Sequence, residues 1–221
     1  MPLFVNKNVV CENAYDKNGA NDVRFMRGVA EIQARAFAGW ARLQHIDFHH
    51  ECNVRVIGEY AFHGTALTMF LAPKTLQVIR CGAFANCAAL RDVVLNEGLI
   101  ELGAAGPKYQ GQPAGVFQNS GLVQIALPRT LRRASPNTFA GCQKLRAVYS
   151  QPAPGFNIWS CVQNYALLNG DEAQKSAFVD RVTKAMKDAW RKKPHRPAHV
   201  EDEGTPIVPK PQVGQIPAQS A

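Results

Sequence analysis

No run in the 221-residue chain approaches the roughly 18 apolar residues that a membrane-spanning helix requires. The first ten residues, Met1 to Val10, hold no apolar stretch of signal-peptide length and soon meet charge. An intracellular, cytoplasmic protein without a membrane span is therefore expected. Six cysteines stand at 11, 52, 81, 87, 142 and 161, yet no two have C-x-x-C spacing. That removes the usual signature of a zinc ribbon or a thioredoxin-like site, and reduced thiols are expected. No G-x-S-x-G, H-E-x-x-H, Walker loop or dinucleotide fingerprint occurs. Nothing implies a cofactor, a metal requirement or a catalytic residue set, so an enzyme is not expected. Acid is missing from Leu102 to Gly170, a stretch that holds Lys108, Arg129, Arg132, Arg133, Lys144 and Arg146.

What is present is a globular composition with a periodic pattern. Hydrophobic residues make up 46% and charged residues 19%, which argues against a chain disordered throughout. Segments align on a phenylalanine: Ile32–Phe37, Ile57–Phe62, Ile79–Phe84 and Ala134–Phe139, with Leu102–Phe117 as a further copy carrying ten extra residues. Three residues before each start sits Val29, Val54, Leu76, Leu99 or Leu131. Soon after each ring comes Leu43, Leu67, Leu90, Leu122 or Leu145, and three further on Ile46, Phe70, Val93, Ile125 or Val148. The period is 22 to 25 residues outside the insertion. Two residues after each ring stands Gly39, Gly64, Asn86, Asn119 or Gly141. Glycine and asparagine tolerate positive φ best, so this column predicts a left-handed turn in every copy. The next column places Cys87 and Cys142 at equivalent positions, as small buried thiols.

This pattern resembles the BspA-type leucine-rich repeat family. The residues that carry the likeness are Ile57–Phe62 with Leu67, Ile79–Phe84 with Asn86, Cys87 and Leu90, and Gly121–Pro128 leading to Phe139–Cys142 and Leu145. It covers about 29–150. The resemblance implies an α/β leucine-rich repeat solenoid of about five right-handed coils, each giving one short strand to a shared parallel sheet. It also implies an interaction protein and brings no catalytic residues. Independently, one coil cannot bury its own Phe and Leu, but stacked neighbours can.

The flanks divide further. Residues 1–28 are expected to cap the N-terminal coil, and 103–113 to lengthen one loop as an insertion. The C-terminal flank, 151–193, contains an expected basic amphipathic helix at 171–193, with Phe178, Val182, Met186 and Ala189/Trp190 on one face. That helix either packs on the last coil as a cap or, as a basic amphipathic helix, is recognised by calmodulin or a membrane surface. Residues 194–221 contain six prolines and read as a disordered Pro-rich tail, with a PxxP stretch at Pro206–Pro211.

Strand alternation nominates a binding face. The residue between the last two inward positions of each strand reads Asp47, Leu71, Val94, Ala126, Tyr149, and an apolar outward column suggests a docking surface. A protein or peptide partner is expected on the concave sheet at Met69, Leu71, Val94 and Tyr149, with Arg91 and Arg146 as a charged rim. Alternatively, a flank folds back over this face. A second reading is nucleic-acid or anionic-surface binding through the basic stretch 102–170, with Arg129, Arg132, Arg133 and Lys144 as its patch. Two further motifs are weighed. His45, Asp47 and His49, followed by His50, Glu51 and Cys52, hold metal-ligand types, but i and i+4 on a strand lie about 13 Å apart. Leu131–Ser135 looks like a kinase substrate, but Pro136 follows and the segment lies inside a repeat. Neither the partner's identity nor the oligomeric state is encoded in any motif.

Overall fold

A computed structural model of the chain describes residues 2–11, 15, 20–106, 113–149 and 172–191. Six coils stack along one axis. Each coil passes through a strand on one side and crosses to a two-residue strand on the other, and from the second coil on it returns through a tight turn. The first ladder uses β1 (Leu3–Val5), β3 (Asp22–Phe25), β5 (His45–Phe48), β7 (Met69–Leu71), β9 (Asp92–Val94), β11 (Gln124–Ala126) and β13 (Ala147–Tyr149). The second uses β2 (Val9–Val10), β4 (Glu31–Ile32), β6 (Val56–Ile57), β8 (Val78–Ile79), β10 (Glu101–Leu102) and β12 (Arg133–Ala134). All pairings are parallel. The two-residue ladder is continuous, while the long-strand ladder divides into β1-β3-β5 and β7-β9-β11-β13. At that seam one backbone bond persists, Thr68 N–H to the Gln44 carbonyl at 3.2 Å, beside the edge-on pair Phe48–Phe70.

Two expectations change in detail. Each coil gives two strands, not one. The coil count is also one higher than five, because residues of the expected N-terminal cap supply β1, β2 and β3. That first coil carries no Ala-Phe turn, the feature on which the copies were aligned. β10 pairs with both β8 and β12, so the coil is continuous up to Gly103. Residues 107–112 lie outside the described residues, as do 150–171 and the Pro-rich tail.

The five aligned rings stand in one row. Centroids are 5.3 Å apart for Phe37–Phe62 and Phe62–Phe84, 5.6 Å for Phe84–Phe117 and 5.9 Å for Phe117–Phe139, with planes within 13°. Backbone bonds run coil to coil beneath them, from Phe37 N–H to Ala61 O, Phe62 to Ala83, Phe84 to Val116 and Phe117 to Thr138. The turn column adopts positive φ at all five positions: Gly39 (74°), Gly64 (67°), Asn86 (59°), Asn119 (56°) and Gly141 (72°). Asn119 Nδ2 donates to Asn86 Oδ1 at 3.2 Å, and Asn86 Nδ2 lies 2.8 Å from His63 Nε2, so the side chains tie neighbouring turns together. Gly141 must lack a Cβ for a second reason, since Asn119 Oδ1 occupies that space.

Because every ring except the terminal ones is sandwiched by two others, a ring cannot be lost locally. Phe84 is fully buried. Phe84→Ala is expected to destabilise the stack by about 3–5 kcal/mol, as for a large ring removed from a packed core. Thermal or denaturant unfolding that leaves the midpoint unchanged would refute this packing.

Candidate functional site

The long-strand face is built by alternation. Inward side chains of the strands, Ile46, Phe70, Val93, Ile125 and Val148, enter the core. Their neighbours point outward in columns fixed by the parallel register: Arg24 opposite Asp47, Leu71 opposite Val94, Val94 opposite Ala126, and Ala126 opposite Tyr149. The column is therefore charged over the early coils and apolar over the later ones. Left to water, its apolar half would be a contiguous hydrophobic strip.

It is not left to water. The helix α1 (Glu172–Arg191) lies across this face. Its buried residues are Lys175, Phe178, Val182, Met186 and Trp190, spaced three or four apart as one helical face. Phe178 and Val182 form a cluster with Val94 and Ala126, and Leu71 and Tyr149 pack against it. The Tyr149 and Phe178 rings are 5.2 Å apart. Met186 shares a cleft with Leu71 and Asp47, and Trp190 lies over the Arg24 guanidinium at 4.8 Å. Arg24 is in turn held by Asp47 at 2.6 Å. The helix thus runs from the late coils towards the early ones, its apolar end on the apolar half and its aromatic end on the charged half. Lengths agree: 20 residues span about 30 Å at 1.5 Å rise, and seven strands about 4.8 Å apart cover about 29 Å. Polar ties flank the seam. Lys175 Nζ meets Glu97 Oε1 at 3.2 Å, and Arg181 Nη2 donates to Gln124 Oε1 at 2.8 Å.

The six residues nominated for partner binding are thereby divided. Val94 is 6% exposed beneath α1, and Leu71 and Tyr149 are half-buried at its edges. The alternating pattern places this trio outward, and of the two arrangements expected for it, the chain's own helix covers it. Met69 is half-buried and lines a cleft beside α1 together with exposed Arg91. Arg146 is exposed on the same side. The helix itself was legible from its periodicity, but its resting place was not. Arg24, Asp92 and Arg181, which join helix to sheet, were missed. An outward apolar column and an amphipathic helix of equal length in one chain were the signal available.

The basic residues Arg129, Arg132, Arg133 and Lys144 are exposed on the late coils. Arg129 and Arg132 border a cleft of about 360 Å³ with Ile100 and Thr130. Among the described residues, no aromatic side chain lines it. His49, His50 and Glu51 bring one ligand atom each within 4.8 Å of one another. His45 stands apart on Asp22 at 3.0 Å and Asp47 on Arg24, so the alternating set does not converge, in line with its spacing of about 13 Å. Burial, followed by the neighbouring His50, lowers the His49 pKa. Arg27 takes the Glu51 carboxylate at 3.3 Å. The two equivalent cysteines are core groups. Cys87 Sγ donates to Phe62 O at 3.1 Å and meets Thr65 Oγ1; Cys142 Sγ donates to Phe117 O at 2.9 Å and meets Ser120 Oγ.

A family model for the BspA type leucine rich repeat region matches residues 8–106 and 108–184, in six copies. Among solved structures, a leucine-rich repeat protein of T. pallidum is 26% identical with a TM-score of 0.55, covering 71% of this chain and 72% of that one. A leucine-rich repeat protein of Eubacterium ventriosum is 15% identical with a TM-score of 0.53, over 65% of this chain and 37% of that one, a likeness of fold alone. No curated protein matches the chain. Among the described residues, no helix is long and apolar enough to cross a membrane.

Burial raises the Cys87 and Cys142 pKa values above the ordinary 9.0, opposed by the hydroxyl contacts. A folded pKa above the unfolded one stabilises the fold fully below the unfolded value, and that contribution is lost as pH rises through the folded value. Melting temperature should therefore fall above pH 9.0, and alkylation read by mass spectrometry should label exposed Cys11 but spare Cys87 and Cys142 until unfolding. For α1, Val182→Asp places an unpaired charge against Val94 and Ala126. Hydrogen exchange should then accelerate across 172–191 and a hydrophobic dye should bind, while the ring row stays protected. Unchanged exchange in α1 would show that it does not rest on this face.

Proposed function

Because the chain belongs to the BspA-type leucine-rich repeat family, we propose that it is a non-catalytic protein-interaction scaffold, binding a protein or peptide on its long-strand face alongside α1. The observation that carries this reading is the docking of α1 itself. The face already accommodates a peptide segment through an apolar column, flanking ion pairs and a cation–π contact. Stacked repeats provide an extended surface for such contacts. Met69, Arg91 and Arg146 form the margin that a partner meets first, while Leu71, Val94 and Tyr149 form the floor shared with α1. No cofactor enters this reading. The alternative, nucleic-acid or anionic-surface binding, is favoured by the exposed residues Arg132, Arg133 and Lys144, which make no ion pair among the described residues.

Capture from nuclease-treated and untreated extracts separates the two. The bait is the full chain, its Arg91→Glu/Arg146→Glu variant, or its Arg132→Glu/Arg133→Glu variant, each with a verified melting temperature. The scaffold reading expects a protein set that survives nuclease, is lost with the first variant and is kept with the second. Nuclease-sensitive material lost only with the second variant would replace it by the alternative.

A further inference from the structure

Beside α1, the long-strand face opens into a cleft of about 370 Å³ lined by Thr68, Met69, Arg91, Asp92, Gln124 and Arg181. Its two arginines differ in state. Arg181 is fixed: it donates to Gln124 at 2.8 Å, lies 3.6 Å from Asp92 Oδ1 and stacks on the Phe178 ring at 5.3 Å. Arg91 is exposed, and its side chain has no ion pair or hydrogen bond among the described residues. Arg146 has the same character and continues the Thr68–Arg91–Val123 column, two strand spacings or about 10 Å beyond Arg91. The margin of α1 thus presents one positioned guanidinium and two available ones, with Asp92 as the acid lining the cleft.

Resting on the interaction reading above, we propose that this cleft receives an acidic segment of a partner protein. Carboxylates of that segment pair with Arg91 and Arg181, the forked geometry that guanidinium groups favour. Asp92, Gln124 and the Thr68 hydroxyl face its backbone. The composition of the cleft selects a peptide over a nucleic acid. The Asp92 carboxylate and the Gln124 carbonyl oxygen accept hydrogen bonds, and a peptide backbone offers N–H donors to them. A phosphodiester backbone offers none. Among the described residues, no aromatic side chain lines the cleft for base stacking. Since Arg181 belongs to α1, the cleft exists only while the helix is docked, so binding is coupled to the apolar contact on the other side of the same helix.

The test is fluorescence anisotropy of a labelled decaglutamate peptide titrated with the full chain at low salt. The parent is expected to bind, with affinity falling as salt rises. Arg91→Gln and Arg181→Gln are each expected to weaken binding about tenfold, the effect of losing one charge-assisted contact. Arg132→Gln/Arg133→Gln removes two charges elsewhere and should change affinity less than twofold. Phe178→Ala, which alters no charge, should weaken binding by loosening α1. Equal losses from the cleft and Arg132/Arg133 variants would reduce the effect to diffuse charge and overturn the proposal. So would a parent that ignores decaglutamate, or one that binds a single-stranded oligonucleotide through Arg91 in its place. If decaglutamate fails while Arg91→Glu/Arg146→Glu still abolishes protein capture, the acidic chemistry is wrong and the scaffold reading stands. If decaglutamate binds at the cleft while capture is unaffected, the reverse holds.

Discussion

Everything in this molecule depends on a ring that its own coil cannot bury. Phe62 is covered by Phe37 on one side and Phe84 on the other, at 5.3 Å each. Such a contact exists only if consecutive coils stack in register, and register requires the chain to reverse at the same phase each time. The left-handed column at Gly39, Gly64, Asn86, Asn119 and Gly141 provides that reversal. Ring, turn and parallel ladder are therefore one constraint. Where coils agree in all three, the core is continuous; where the insertion interrupts a coil, Phe117 still returns to the row because β10 and the turn keep their places.

The same alternation that fills the core creates a surplus outside it. A short strand with its middle residue inward must aim its neighbours outward, and over the later coils those neighbours are Leu71, Val94, Ala126 and Tyr149. Helix α1 resolves the surplus within the chain. Its apolar stripe covers the strip, Lys175 and Arg181 pair with Glu97 and Asp92 at the margins, and Trp190 ends on the Arg24–Asp47 pair. Burying side chains such as Phe178 and Val182 is worth about 1.5–3 kcal/mol each, ample to hold a helix whose own 20 residues would be marginal alone.

What was legible in the sequence follows from range. Periodic columns are local signals repeated many times, so the ring row, the turn column and the buried Cys87 and Cys142 could be read directly. The amphipathic face of α1 is also local. Its contact with the sheet is not: Phe178 and Val94 lie far apart in the chain, and no periodicity relates them. The second left-handed position, at Arg35, Tyr60 and Gly82, escaped for a different reason. Arg and Tyr rarely adopt positive φ, so composition offers no hint. There the stack imposes the conformation; the Tyr60 ring lies in the space a side chain at Gly82 would need. The two-ladder arrangement was hidden because two-residue strands such as Val78–Ile79 are too short to show alternation.

Covering the strip changes the chemistry offered to a partner. With Val94 beneath Phe178 and Val182, the apolar column contributes little to first contact. What faces water is the outer side of α1, with Asp180, Arg181, Lys184 and Lys187, and the arginine column beside it. On the proposed reading, recognition at that margin would be electrostatic in its first step, hence fast and sensitive to salt. Only a ligand able to displace or share the place of α1 gains the apolar floor. The face therefore carries two layers, an exposed charged one and an apolar one covered by α1. Because Arg181 and Val182 are adjacent on one helix, neither layer can change without the other.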